Sequence, residues 1–213
     1  MTNPNTSASG GFLAPIASPP GPAAPLEGEA LLVFLQSVVV GITGLPGNMV
    51  RPRWQPEAPN IPQTGTAWAA IGVNLKPSDT FAATIHQPDA NGGQGQDLLV
   101  RTEELELDCS FYDTGSTGLA DMYVALLRDG LSIAQNRETL QLNNMGLISV
   151  STPTPVPVVL KRRWLYRVDC SVGIRQLVTR AYPVLNLTQA AIDVVAETPS
   201  GSDIEFSILT PVP

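Results

Sequence analysis

Residues 103–112, Glu103-Glu104-Leu105-Glu106-Leu107-Asp108-Cys109-Ser110-Phe111-Tyr112, put Leu105, Leu107, Cys109 and Phe111 on one phase and Glu104, Glu106, Asp108 and Ser110 on the other. Successive side chains of a strand point to opposite faces, so this alternation predicts a strand with one buried face and one solvated face. Residues 164–178 repeat the signal: Trp164, Tyr166, Val168, Cys170, Val172 and Ile174 alternate with Leu165, Arg167, Asp169, Ser171, Gly173 and Arg175. The polar phase is acidic in the first segment and carries Arg167 and Arg175 in the second. The two are therefore expected to pair across a sheet, each exposed ion pair contributing a few tenths of a kcal/mol. Both cysteines, Cys109 and Cys170, fall on the apolar phase and read as buried free thiols behaving as small hydrophobes.

Working outward, Leu31, Leu32, Phe34, Leu35, Val38, Val39 and Ile42 recur at three- and four-residue steps, which predicts an amphipathic helix from Gly28 that stops near Gly41–Gly44 and Pro46. The prolines of Val50-Arg51-Pro52-Arg53-Trp54-Gln55-Pro56, with Pro59 and Pro62, force extended backbone. Ala67–Leu75 reads as a strand and Thr80–His86 as a second. Residues 118–135 carry Leu119, Met122, Tyr123, Leu126, Leu127, Leu131 and Ile133 along one stripe, a helix expected to break near Gly130. Asn136 is expected to cap a short helix over Arg137–Asn143. A strand near Leu147–Ser151 leads into the extended connector Thr152–Pro157. Past Ile192 the chain fades toward an edge strand at Ile204–Leu209. Helix, strands, helices and long strands give an α+β class: a largely antiparallel sheet with helices packed on one face and extended arms at both ends. The expected organisation is a Pro-rich arm over 1–27, one α+β domain over 28–195 and a C-terminal arm over 196–213.

The 213 residues suit one domain with arms. Charged residues make up 15%, while 20 prolines and 18 glycines speak for much extended chain. Residues 1–26 hold six prolines (Pro4, Pro15, Pro19, Pro20, Pro22 and Pro25) and no charged side chain, a composition that cannot form its own core. A net charge of −7 argues against a protein whose task is to grip phosphates. The apolar runs are too short for a membrane helix, and without a basic segment ahead of Glu27 no secretory signal is expected.

One histidine, His86, and two cysteines cannot supply the usual zinc ligand sets, and His86 reads as an exposed loop residue. Asp89–Asp97 resembles a calcium loop but has Gly where a third oxygen ligand belongs and Val100 in place of the bidentate Glu, so it reads as a hairpin connection. No phosphate loop, dinucleotide fingerprint or nucleophile elbow occurs. The expectation is no catalytic residue, cofactor or metal.

What stands out is ten arginines against two lysines, gathered as Arg51/Arg53, Arg128/Asp129, Arg137/Glu138 and Arg162/Arg163/Arg167. Arginine is favoured where a charge must be desolvated and paired, as at permanent interfaces. Trp54, held between Pro52 and Pro56, is expected to anchor into a neighbour or into its own core, and its removal would cost about 3 kcal/mol if it is buried. The candidate interface residues are Arg51, Arg53, Trp54, Arg128, Asp129, Arg137, Arg162, Arg163 and Arg167.

At these same segments the chain resembles a known family. Val50–Pro56 with Pro59 and Pro62, Trp68-Ala69-Ala70-Ile71-Gly72, Ser110-Phe111-Tyr112, Leu127-Arg128-Asp129-Gly130, Ala134-Gln135-Asn136-Arg137-Glu138, and Arg163-Trp164 with Arg167-Val168-Asp169 are similar to the neck or tail terminator proteins of contractile-tailed bacteriophages. The resemblance covers about residues 28–190. It implies a structural virion protein: a homo-oligomeric, hexameric ring in the neck, assembled in the host cytoplasm, that caps the tail tube and sheath. Such a ring joins the tail to the head connector while DNA passes transiently through its lumen. A tail- or head-completion protein at another neck layer, and a host-surface binding module, stay open as alternatives.

Overall fold

The computed structural model describes residues 24–55, 65–76, 81–88, 95–115, 118–160, 162–184, 189–197 and 203–211, together with Pro62. The N-terminal arm up to residue 23, residues 56–61 and the loop over 89–94 lie outside the described residues. Two compact units divide the chain. The larger is built from residues 23–82 and 100–179; the described residues of the smaller lie within 83–99 and 180–211.

In the larger unit, the helix α1 runs from Gly28 to Thr43, as its apolar spacing requires. Leu31, Leu35, Val38 and Val39 form its buried stripe, and Gly44 ends it at φ 71°, a left-handed conformation that favours glycine. A single 3-10 turn, Gly47–Met49, leads into the short strand β1, Val50–Pro52. Strand β2, Ala67–Lys76, lies parallel to β1 with Arg51 opposite Ala70. Strand β4, Gly95–Asp113, is antiparallel to β2, pairing Trp68 with Tyr112 and Ile71 with Cys109.

The helices α2, Leu119–Ser132, and α3, Ala134–Gln141, follow. Strands β5, Met145–Val150, and β6, Thr154–Pro155, both pair with the long strand β8, Arg163–Val184; so does β7, Val158–Leu160. The sheet order β1-β2-β4-β8-β5 is mixed and mostly antiparallel. The helices cover the face that carries Ile71, Leu105, Leu107, Cys109, Phe111, Val168, Cys170, Val172 and Ile174. The α+β architecture expected from the alternation is thus the one found.

Both cysteines are free and buried in this core, side by side on neighbouring strands. The Cys170 sulfur as hydrogen-bond neighbour, reinforced by complete burial, pushes the Cys109 thiol well above its ordinary range, so Cys109 is held as the unreactive neutral thiol.

Three local readings need correction. α2 passes through Gly130 without breaking, and the break falls at Ile133. Gly130 is required by packing: a Cβ there would lie 2.2 Å from Cγ2 of Ile42 on α1, so the glycine lets the two helices approach. Asn136 is not a cap. It lies inside α3, and its side chain donates instead to the Gly130 carbonyl at 2.9 Å.

The third correction concerns Trp164 and Tyr166, which share the inward phase of β8 yet are 77% and 36% exposed, while Leu165 is buried. The helix layer ends at the first turn of α2, where the Tyr166 hydroxyl donates to Asp121 at 3.2 Å. Beyond it the inward phase meets no cover. Leu165, on the opposite phase, is paired with Val158 of β7.

The smaller unit holds β3, Ala83–Gln87, which pairs with β4, and an antiparallel hairpin of β9, Gln189–Glu197, and β10, Asp203–Pro211. The edge strand expected at Ile204–Leu209 is thus found within β10, paired with β9. His86 is exposed on β3, and its Nδ1 lies 2.8 Å from Oδ1 of Asp97, the last residue of the calcium-like stretch.

Candidate assembly surfaces

The outward face of the sheet is built from the polar phases of β2, β4 and β8, and its centre is an aromatic step. Trp68 and Tyr112 sit directly opposite each other in the β2–β4 register, with ring centroids 4.0 Å apart and planes inclined by 4°. A cation approaches each ring: the Arg51 guanidinium lies 5.8 Å from the Trp68 centroid, and that of Arg167 lies 5.9 Å from the Tyr112 centroid. Dispersion between the stacked rings, and the attraction of each guanidinium to the negative face of its ring, make this Arg–Trp–Tyr–Arg ladder attractive along its length.

Ion pairs surround the ladder. Arg53 extends beyond β1, its N–H donating to the Ile71 carbonyl, and lies across Gly72, the residue opposite Asp108. From there it donates through Nη1 to Asp108 at 2.9 Å and through Nη2 to the Ser110 hydroxyl at 3.1 Å, while Asn74 donates to the same Asp108 oxygen at 2.8 Å. Lys76 pairs with Glu106 at 2.6 Å and Arg175 with Glu104 at 2.9 Å, the second being the cross-sheet pairing expected from the alternation. Arg167 pairs along its own strand with Asp169 at 2.7 Å, not with the acidic strand as expected. Each carboxylate of the face is thereby matched by a cation, which suits protein contact better than phosphate binding.

The ladder is also incompletely satisfied. Trp68 is 4% exposed, and its indole nitrogen, together with Nε of Arg167 and Oδ1 of Asp169, is buried with no hydrogen-bond partner among the described residues. Burial opposes the charge of Arg167, but the hydrogen bond and charge of Asp169 outweigh it and raise the guanidinium above its ordinary value.

Of the residues named from the sequence as interface candidates, Arg51, Arg53 and Arg167 are brought to this one face by the fold. The sequence reading missed their partners Trp68, Tyr112 and Asp108. Tyr112 gave a signal, an aromatic continuing the acidic phase of its strand; Trp68 gave none, because Ala67–Ile71 is apolar throughout.

The other named residues lie elsewhere. Trp54 is 87% exposed, next to Arg53, so it is not an anchor in its own core. Arg128 and Asp129 are exposed on α2. Arg137, on α3, donates to the Leu131 carbonyl at 3.4 Å, closing the α2–α3 corner. Arg162 is exposed in the β7–β8 turn at φ 63°, and Arg163 begins β8.

A second surface is a groove of about 540 Å³ at the N-terminal end of α2, lined by Asp113, Gly118, Asp121, Pro157, Trp164 and Tyr166 among others. Asp113 forms its floor: the carboxylate is buried at the end of β4 and accepts from the Gly115 N–H at 2.8 Å and the Leu119 N–H at 3.2 Å. It thereby caps α2, whose own N-cap residue, Gly118, has no side chain to do so. Among the described residues no group of His, Cys, Asp or Glu side chains could hold a metal ion. No helix among the described residues is long and apolar enough to cross a membrane.

A self-paired sheet face with an arginine-flanked aromatic centre is interface chemistry, and comparison with protein families agrees in kind. The model of the phage neck terminator protein family matches residues 29–200, most of the chain. This chain belongs to that family. Among the described residues, the match takes in α1 but for Gly28, α2 and α3, the whole outward face and β9. A comparison with curated proteins gives no match. Family membership makes the chain a structural protein of the bacteriophage neck, located in the virion and in contact with other neck and tail proteins.

Proposed function

We propose that this neck terminator works as a closed homo-oligomeric ring, a hexamer, that caps the tail tube and sheath and joins them to the head connector while DNA passes through its lumen. In this reading it assembles in the host cytoplasm and has no enzymatic activity. The supporting observation is the arginine-flanked aromatic ladder Arg51–Trp68–Tyr112–Arg167 on the outward sheet face. Aromatic and arginine side chains are the types enriched at protein interfaces, so the ladder favours contact with a neighbouring subunit. A head-to-tail ring needs a second, different patch on each subunit, for which exposed Trp54 and the Arg128/Asp129 pair on the helix side are available. The net charge of −7 suits a lumen that conducts DNA without holding it.

Mass photometry of the purified chain, alone and with tail tubes, tests the reading together with an Arg51→Ala/Arg167→Ala variant. The expected result is a ring mass that the variant loses by at least tenfold in assembly affinity, with melting little changed. Monomers under both conditions, or rings indifferent to the double substitution, would overturn it.

A further inference from the structure

The groove beside α2 has an open apolar wall and no occupant among the described residues. Trp164 and Pro157 form that wall, and Tyr166 stands beside them with its hydroxyl held by Asp121. No described residue satisfies the exposed Trp164 indole N–H. An aromatic-lined cleft with a free indole donor is what a polyproline II segment recognises: the segment has three residues per turn, no internal hydrogen bonds and carbonyls free to accept.

The chain carries such a segment outside its described residues. Pro19-Pro20-Gly21-Pro22 places Pro19 and Pro22 three residues apart and so on one side of a polyproline II helix, a register that Pro25 continues. The arm has no charged side chain before Glu27, so seating it beside Asp113 and Asp121 strands no charge.

We propose that Pro19–Pro22 docks in the Trp164/Tyr166 groove of a neighbouring copy; this rests on the homo-oligomeric reading above. Reach argues for the neighbour. Leu26, at the base of the arm, is tied to the subunit: its carbonyl accepts from Nε2 of Gln176 at 3.2 Å. Leu165, in the groove, lies eleven residues earlier on the same strand, about 36 Å away at ~3.3 Å per residue. Pro19 is seven residues from Leu26, a span of at most about 25 Å when fully extended. The segment falls short of its own groove and is long enough to cross to an adjacent subunit. Its prolines lower the ordering cost, and linkage through the ring raises its effective concentration.

The test titrates a fluorescein-labelled peptide of residues 12–27 with the full-length chain carrying Pro19→Ala and Pro22→Ala, read by fluorescence anisotropy. Saturable binding is expected. It should weaken at least tenfold when Trp164→Ala is added to the chain, and equally when the peptide itself carries the two alanines. Trp164 is exposed, so its removal leaves the core intact, and the altered peptide is a control that does not depend on the chain's fold. Absence of binding, or binding indifferent to both changes, overturns the proposal. Mass photometry on tail tubes separates the two ideas: rings without peptide binding refute the groove alone, and peptide binding without rings upholds the groove and refutes the ring.

Discussion

The two faces of the central sheet use the same strands for opposite ends. On the inner face of β4 and β8, Leu105, Leu107, Cys109, Phe111, Val168, Cys170, Val172 and Ile174 meet α1 and α2 in a dry core. On the outer face of the same strands, Glu104, Glu106, Asp108, Tyr112, Arg167 and Arg175 engage in ion pairs and ring contacts with one another, with Asp169 and with side chains of β1, β2 and Arg53. The inner face carries the stability of the subunit, because apolar area removed from water dominates folding. The outer face contributes little to it, since exposed ion pairs are individually weak. Surface of that kind is retained for specificity toward a partner, which is where a ring-forming subunit would need it.

The comparison breaks most readily at Phe111, which is fully buried. Phe111→Ala should destabilise the subunit by about 3–5 kcal/mol and lower its melting temperature by roughly 10 °C, measured by calorimetry. A loss of under 1 kcal/mol would mean that the inner face is not the main support. Next is Gly130→Ala, where the new methyl must displace the stiff, β-branched Ile42; about 1–3 kcal/mol of destabilisation is expected in urea unfolding, although alanine is the better helix former.

Trp54→Ala sharpens the contrast from the other side. The residue is exposed, so chemical denaturation should change by less than about 0.5 kcal/mol, while on the proposed ring reading assembly, followed by mass photometry, should weaken. A large stability loss would put Trp54 in a core after all.

The smallest effect is at the Lys76–Glu106 pair. The hydrogen bond from Lys76 holds the Glu106 carboxyl below its ordinary range against some desolvation, and Lys76 is raised by the same partner. A lowered carboxyl contributes stability above its unfolded value, and that contribution is lost as pH falls through the folded value. Glu106→Gln should therefore narrow the difference in melting temperature between pH 7 and pH 3 by no more than about 2 °C.

How much was legible in the sequence follows from where each signal arises. Alternation in residues 103–112 and 164–178 is a local property of the pleat, and it fixed both long strands, their inward phase and the burial of the cysteines. The apolar spacing of α1 and its glycine stop are equally local. The Trp68–Tyr112 stack was out of reach, because the β2–β4 register that sets it joins residues more than forty positions apart. The role of Gly130 was hidden for the same reason: read alone it is a helix breaker, and only the approach of Ile42 from another helix explains it. Trp164 and Tyr166 were placed inward because phase is written in the chain, whereas the point at which a helix layer stops is not.

By itself, then, the sequence determined the α+β class, the amphipathic elements, the neck terminator resemblance and the set of arginines to watch, all of which are carried by local periodicity, composition or ordered short segments. The tertiary structure decided which arginines share a face, what they pair with, and that a groove opens beyond α2. Those depend on strand register and helix placement, which are settled by packing between residues distant in the chain.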